Sequence, residues 1–170
     1  FEPVQIKSLY GSPYTLIDGG VFANNPTLCA YSEARTIDFG KELQQDNKPV
    51  NPGAKDMKIV SLGTGTVKKS YPFDDFKDAN KIKWINPLND IMMSGNSETV
   101  DYQLKQIYGT LDGDDQNDYY RIQPELNHAS SEMDEAKQEN IDALLNDGKL
   151  AVEAYKEELD EIVRKLVANS

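Results

Sequence analysis

The sequence predicts an α/β fold, a mainly parallel sheet flanked by helices, on three observations. Short β-rich apolar runs occur at Tyr14–Ile17, Met57–Leu62 and Tyr119–Gln123. Stretches with apolar residues at helical spacing separate them, an order that sets successive strands side by side in one direction. Each run is closed by turn-forming residues: Asp18-Gly19-Gly20, Gly63-Thr64-Gly65 or Pro124. At 170 residues the chain suits one domain with its own core.

Charge and composition exclude several classes. Eighteen basic and twenty-nine acidic residues give a net charge of −11, whereas a phosphate-tracking nucleic-acid face needs clustered Lys and Arg. The acidic excess also disfavours electrostatic docking to an anionic membrane. A substrate drawn from a lipid surface would be held by apolar contacts, and any contact with a membrane would be transient. Cys29 is the single cysteine and His128 the single histidine, so neither an internal disulfide nor a zinc-type ligand cluster is in prospect. No apolar run approaches the roughly 18 residues of a spanning helix. The compartment stays open. The opening Phe1-Glu2-Pro3-Val4 looks like neither a natural N-terminus nor a targeting segment, and the expectation is a fragment or a processed chain.

Taken in order, Tyr14 to Ile17 reads as a short strand ending at Asp18. Asn25-Pro26 is a helix start, a capping side chain followed by a residue whose missing N–H is no loss there. Leu28, Tyr31, Ala34 and Ile37 recur at helical spacing behind it. Gln44 to Asp56, with two prolines and a glycine, is a loop. Met57–Leu62 reads as an interior strand running into a tight glycine turn. Lys68 to Trp84 is charged, aromatic and aperiodic, an excursion over the surface. Its Phe73, Phe76, Ile82, Trp84 and Ile85 either form an apolar rim for lipid chains or pack back onto the domain. A helix over Glu98–Tyr108 follows. Asp112–Asp118 offers oxygen ligands, but Asn117 and Gln123 stand where a calcium loop needs glycine and glutamate, so a solvated acidic loop is expected. Tyr119–Gln123 is the third strand. Ser131 and Asp134 make a capping box for a helix through Asn146. Asp147-Gly148 then breaks it, and a last helix runs to about Val167 with Tyr155, Leu159, Ile162 and Leu166 as its apolar stripe.

The chemistry concentrates in Leu16-Ile17-Asp18-Gly19-Gly20-Val21-Phe22-Ala23-Asn24-Asn25-Pro26. Reactive groups of α/β proteins gather at the carboxyl ends of strands, and Asp18 sits at such an end. Two glycines let the backbone turn and leave little bulk over the carboxylate. Either Asp18 shapes an Asp-Gly turn, or it is a general base held on a strand end. Ser61 and Ser97 stand in no nucleophile-elbow motif. His128, alone in a loop, reads as solvated.

Residues 17–26 resemble the D-G-G/A motif and following helix start of the patatin-like phospholipase family. Lys58–Gly65 resembles that family's next strand and glycine turn. Trp84, Pro87-Leu88 and Val100–Leu104 resemble its later helical segment, and Tyr120–Gln123, Met133-Asp134, Asn140-Ile141 and Gly148 its closing strand and helix. The resemblance implies a three-layer α/β fold of which residues 1–170 are the C-terminal portion of a single hydrolase domain. It implies a lipid acyl hydrolase with a serine–aspartate dyad, in which Asp18 is the base, Gly19 and Gly20 shape its loop, and no cofactor or metal takes part. The partners implied are a lipid acyl ester substrate and the N-terminal half of the domain carrying the serine. No G-x-S-x-G occurs in the 170 residues, so the isolated segment is expected to be inactive, and to aggregate through its open sheet edge. The alternative is a non-catalytic lipid- or protein-binding module that keeps the fold.

Overall fold

In a computed structural model, residues 2–67 and 69–168 are described; Lys68, where the expected excursion begins, and Phe1 lie outside them. The chain divides into two compact units, residues 1–56 with 71–107, and residues 57–70 with 108–170. The α/β class is borne out in partial form, with two short two-stranded sheets among many helices.

The first unit opens with β1 (Val4–Lys7) paired antiparallel to β2 (Pro13–Leu16), Val4 opposite Leu16. The sequence reading found β2 but not β1, because the run Val4-Gln5-Ile6-Lys7 is half polar and lacks the aromatic and turn residues that mark β2. Every residue of both strands is exposed. A single helical turn, α1 (Gly20–Ala23), leads to α2 (Thr27–Ala34). The expected cap needs a one-residue correction. Pro26 occupies the capping position, and the Asn25 side chain accepts from Thr27 N at 3.1 Å. Tyr31 is the buried residue of this helix; Ile37 lies beyond its end. A further short helix, α3 (Phe39–Leu43), is capped by Asp38, which accepts from Lys41 N at 3.0 Å. After the loop come α4 (Phe73–Phe76) and α5 (Lys81–Gly109), whose last two residues fall in the second unit.

The helix read over Glu98–Tyr108 is thus the second half of a 29-residue element. Asn86, Pro87, Asn89 and Gly95 made its first half look like loop. Proline breaks a helix by clashing with the preceding turn and losing a donor, yet here Pro87 is buried inside it.

The second unit is built on β3 (Ile59–Leu62) and β4 (Tyr119–Ile122), parallel as expected, Ile59 opposite Tyr119. Among the described residues β3 has a partner on one side only, and Leu62 is largely exposed, so it is not the interior strand expected. Gly65 closes the turn after β3 at φ +110, with Leu126 Cδ2 2.6 Å from where a Cβ would sit, so only glycine fits. The capping box at Ser131 does not form. α6 (Gln138–Ala154) starts later, passes through Asp147-Gly148 unbroken, and yields to α7 (Lys156–Ala168) at Tyr155. Asp147 is held by loop hydrogen bonds described below, which is why a turn-forming pair sits inside a helix.

Tyr120, Ile122 and Ile162 form the buried cluster, with Tyr155 packed against it; burial contributes about 2 kcal/mol per side chain. The Leu166 end of the expected stripe is exposed. At the head of β4, Asp118 binds Lys58 Nζ at 2.6 Å and Lys165 Nζ at 2.7 Å. Burial alone would raise its pKa, but the two ammonium groups outweigh it and hold the carboxyl below its ordinary value. Asp118→Ala leaves both lysines without this partner, and is expected to cost about 2 kcal/mol in urea unfolding.

Candidate active site

Ile17 follows β2 directly and Asp18 comes next, at the carboxyl end of the strand. The Asp18 carboxylate is exposed, and its Oδ1 accepts from Gly20 N at 2.8 Å. The Asp-Gly turn is therefore present. It also fixes the carboxylate, leaving Oδ2 with no hydrogen bond among the described residues. Gly20 has a steric reason to be glycine. A Cβ there would lie 3.2 Å from Asp18 Oδ1 and 3.4 Å from Met93 Cε. At Gly19 a Cβ would meet nothing within 4 Å, so the two glycines expected to shape the loop differ in role.

The loop is fastened to the middle of α5. Asn24 N donates to Asn96 Oδ1 at 3.1 Å, and Asn24 Nδ2 donates to Met93 O at 3.1 Å. Asn25, almost fully buried, donates from Nδ2 to Ser97 O at 3.4 Å. Five residues, Asn24, Asn25, Met93, Asn96 and Ser97, thus set where the aspartate stands. The sequence signal for the first two was the Asn-Asn-Pro start. For Met93 and Asn96 there was none, since the partners are some 70 positions away.

Neither weighed serine is placed as a nucleophile. Ser97 supplies a backbone carbonyl to Asn25. Ser61 is buried in β3, and its hydroxyl accepts from Arg121 Nη1 at 2.8 Å. Asp18 and the nucleophile it would serve are not brought together within the described residues.

His128 is half-exposed, as a loop histidine should be, but it is not merely solvated. Its Nδ1 lies 2.6 Å from Asp147 Oδ1. Asp147 Oδ2 accepts from the N–H groups of Asn127, His128 and Ala129 at 3.0, 2.9 and 2.9 Å. Burial by itself would raise the pKa of Asp147, which is 1% exposed; the His128 ring and the three N–H groups bring it down to about 2. Four partners satisfying one carboxylate make this a structural clamp between α6 and the loop before it.

No family model matches the chain. It is similar to Patatin-like protein 2 of Arabidopsis thaliana, 32% identical over 175 aligned positions that take in 96% of this chain and 39% of that protein. Patatin-like protein 2 of Oryza sativa subsp. indica is 29% identical over 86% of this chain and 38% of its own length. Patatin-04/09 of Solanum tuberosum is 26% identical over 90% and 42%. The chain spans about two fifths of the length of these relatives. Similarity along nearly the whole chain, on sequences that are all patatins or patatin-like proteins, agrees with the aspartate–glycine loop and the α/β elements around it: the chain belongs to the patatin-like family.

Proposed function

We propose that these residues supply the general base of a lipid acyl hydrolase, Asp18, to a serine carried by the N-terminal half of the same domain. Its relatives support hydrolase chemistry at the level of the family. The observation that carries the assignment of the base is the Asp18 loop. One carboxylate oxygen is held by a backbone N–H, the other has no hydrogen bond among the described residues, and Gly20 leaves no bulk beside them.

In this reading Asp18 Oδ2 takes the proton from the serine hydroxyl as its oxygen attacks the acyl carbonyl carbon. Collapse of the tetrahedral species expels the alcohol of the ester, which leaves with that proton. Water then attacks the acyl-serine, Asp18 accepts a proton from it, and the carboxylic acid departs as the serine is restored. A carboxylate is a weak base in water and gains strength when desolvated beside its partner. The isolated 170 residues, with Asp18 exposed, are therefore expected to turn over no ester.

Gly20→Ala tests the loop. The added methyl must push on Asp18 Oδ1 or on Met93. Expected is a roughly tenfold to hundredfold fall in kcat of the full-length protein, from a displacement of about half an ångström, with melting temperature changed by only a few degrees. Gly19→Ala, with open space around it, should retain most activity. Equal effects at the two glycines would count against Asp18 as a positioned base.

A further inference from the structure

We infer that Asn96 is a positioning residue for the Asp18 base and acts through Asn24. This role rests on the hydrolase reading above; the contacts behind it do not. Asp18 and Asn24 are joined by the single turn of α1, which ends at Ala23. Four residues of helix are too few to hold a geometry alone, because helices shorter than about 12 residues are marginal in water. Within the turn, Val21 N donates to Asp18 O at 3.2 Å and Ala23 N to Gly19 O at 2.9 Å. The next backbone donor, Asn24 N, leaves this ladder and donates to Asn96 Oδ1 at 3.1 Å. One end of the turn is therefore tied to the Asp18 carboxylate, through Gly20 N at 2.8 Å, and the other end to α5.

Of the three contacts on α5, one depends on residue type. Met93, Asn96 and Ser97 stand at i, i+3 and i+4, on one side of a 29-residue helix. Met93 and Ser97 offer backbone carbonyls, to the side-chain Nδ2 atoms of Asn24 and Asn25. Every residue carries a carbonyl, so substitutions at 93 and 97 leave those acceptors in place. Asn96 offers its side chain. A backbone N–H only donates, so the atom that meets Asn24 N is the amide oxygen. Asparagine and aspartate both put an acceptor at that reach; alanine and leucine put none. The bond matters to the chemistry because a general base must stand within hydrogen-bond reach of the proton it takes. A shift of about half an ångström at such a group costs roughly tenfold in rate. Asn96 touches no reacting atom in this reading. It fixes the far end of the turn that carries the base.

The test is a double-mutant cycle in the full-length protein, with p-nitrophenyl butyrate as substrate and an assay temperature well below every variant's melting point. Asn96→Ala should lower kcat roughly tenfold, with KM changed by less than about twofold and the melting temperature lowered by about 3 °C. Asn96→Asp, which keeps the acceptor, should stay within about threefold of wild type. In the Asp18→Asn background, Asn96→Ala should lower the residual kcat no further, because a residue that acts through the base has nothing left to act on. A residue that only braces the fold would give the same factor in both backgrounds. If Asn96→Ala does not fold, Asn96→Leu, similar in size to asparagine and without an acceptor, takes its place in the cycle. Equal factors in the two backgrounds, a wild-type kcat in Asn96→Ala, or a loss confined to melting temperature overturns the inference and leaves the hydrolase reading standing. A wild type that hydrolyses no ester, or an Asp18→Asn variant as active as wild type, removes that reading and the positioning role together.

Discussion

Asp18→Asn in the full-length protein is expected to lower kcat for acyl-ester hydrolysis roughly 10³-fold or more, with KM and melting temperature nearly unchanged. Asparagine has the same shape, and its Oδ1 still accepts from Gly20 N, so the turn that holds the residue survives. What is lost is the ability to take a proton. A fall in kcat without a rise in KM is the signature of an interaction made only in the transition state. Asp18→Ala would lose the turn as well, and is expected to lower both activity and stability. The comparison of the two variants separates the chemical role from the conformational one: equal stability losses in both would mean that the carboxylate serves the fold alone.

The second large effect is on stability. Asp147→Ala is expected to lower the melting temperature of these residues by roughly 10 °C, because three backbone N–H groups and the His128 ring lose their acceptor together. His128→Ala, which removes a half-exposed partner and leaves the three N–H bonds in place, should cost far less. The pH dependence has a definite sign. The folded pKa of Asp147, about 2, lies below the ordinary 3.8. Its stabilisation is therefore complete above about pH 4 and is lost as the solution is acidified toward 2. Asp118, also depressed, acts in the same direction. Asp147→Asn should flatten the acid limb of the stability profile; an unchanged limb would show that the clamp contributes nothing through its charge.

What was legible in the sequence was what is local. β2, β3 and β4 and the start of α2 were each found to within two residues, because apolar runs bounded by Gly, Pro and Asn carry their own signals. The Asp18 motif was legible for the same reason: a strand end, two glycines and a helix cap lie within nine positions. What failed was non-local. Pro87 and Gly95 concealed the first half of α5, because both lower helix propensity in a linear reading, yet the helix runs through them with Pro87 buried inside it. Asp147-Gly148 read as a break because Asp favours turns. Its carboxylate is consumed instead by a loop 18–20 residues away, and α6 runs on. His128 read as solvated because nothing in Leu126–Ser130 reveals a partner on that helix. The fastening of Asn24 to Met93 and Asn96, across some 70 positions, left no trace in the linear pattern.

Every functional step above depends on the free oxygen of Asp18 meeting a hydroxyl. A crystal structure of the full-length protein, read at that atom, tests this most directly. The expected result is a serine Oγ within about 3 Å of Asp18 Oδ2, borne on a strand-to-helix elbow, with Gly20 N still donating to Oδ1. A carboxylate facing bulk water, with no serine hydroxyl in reach in the complete protein, would contradict it.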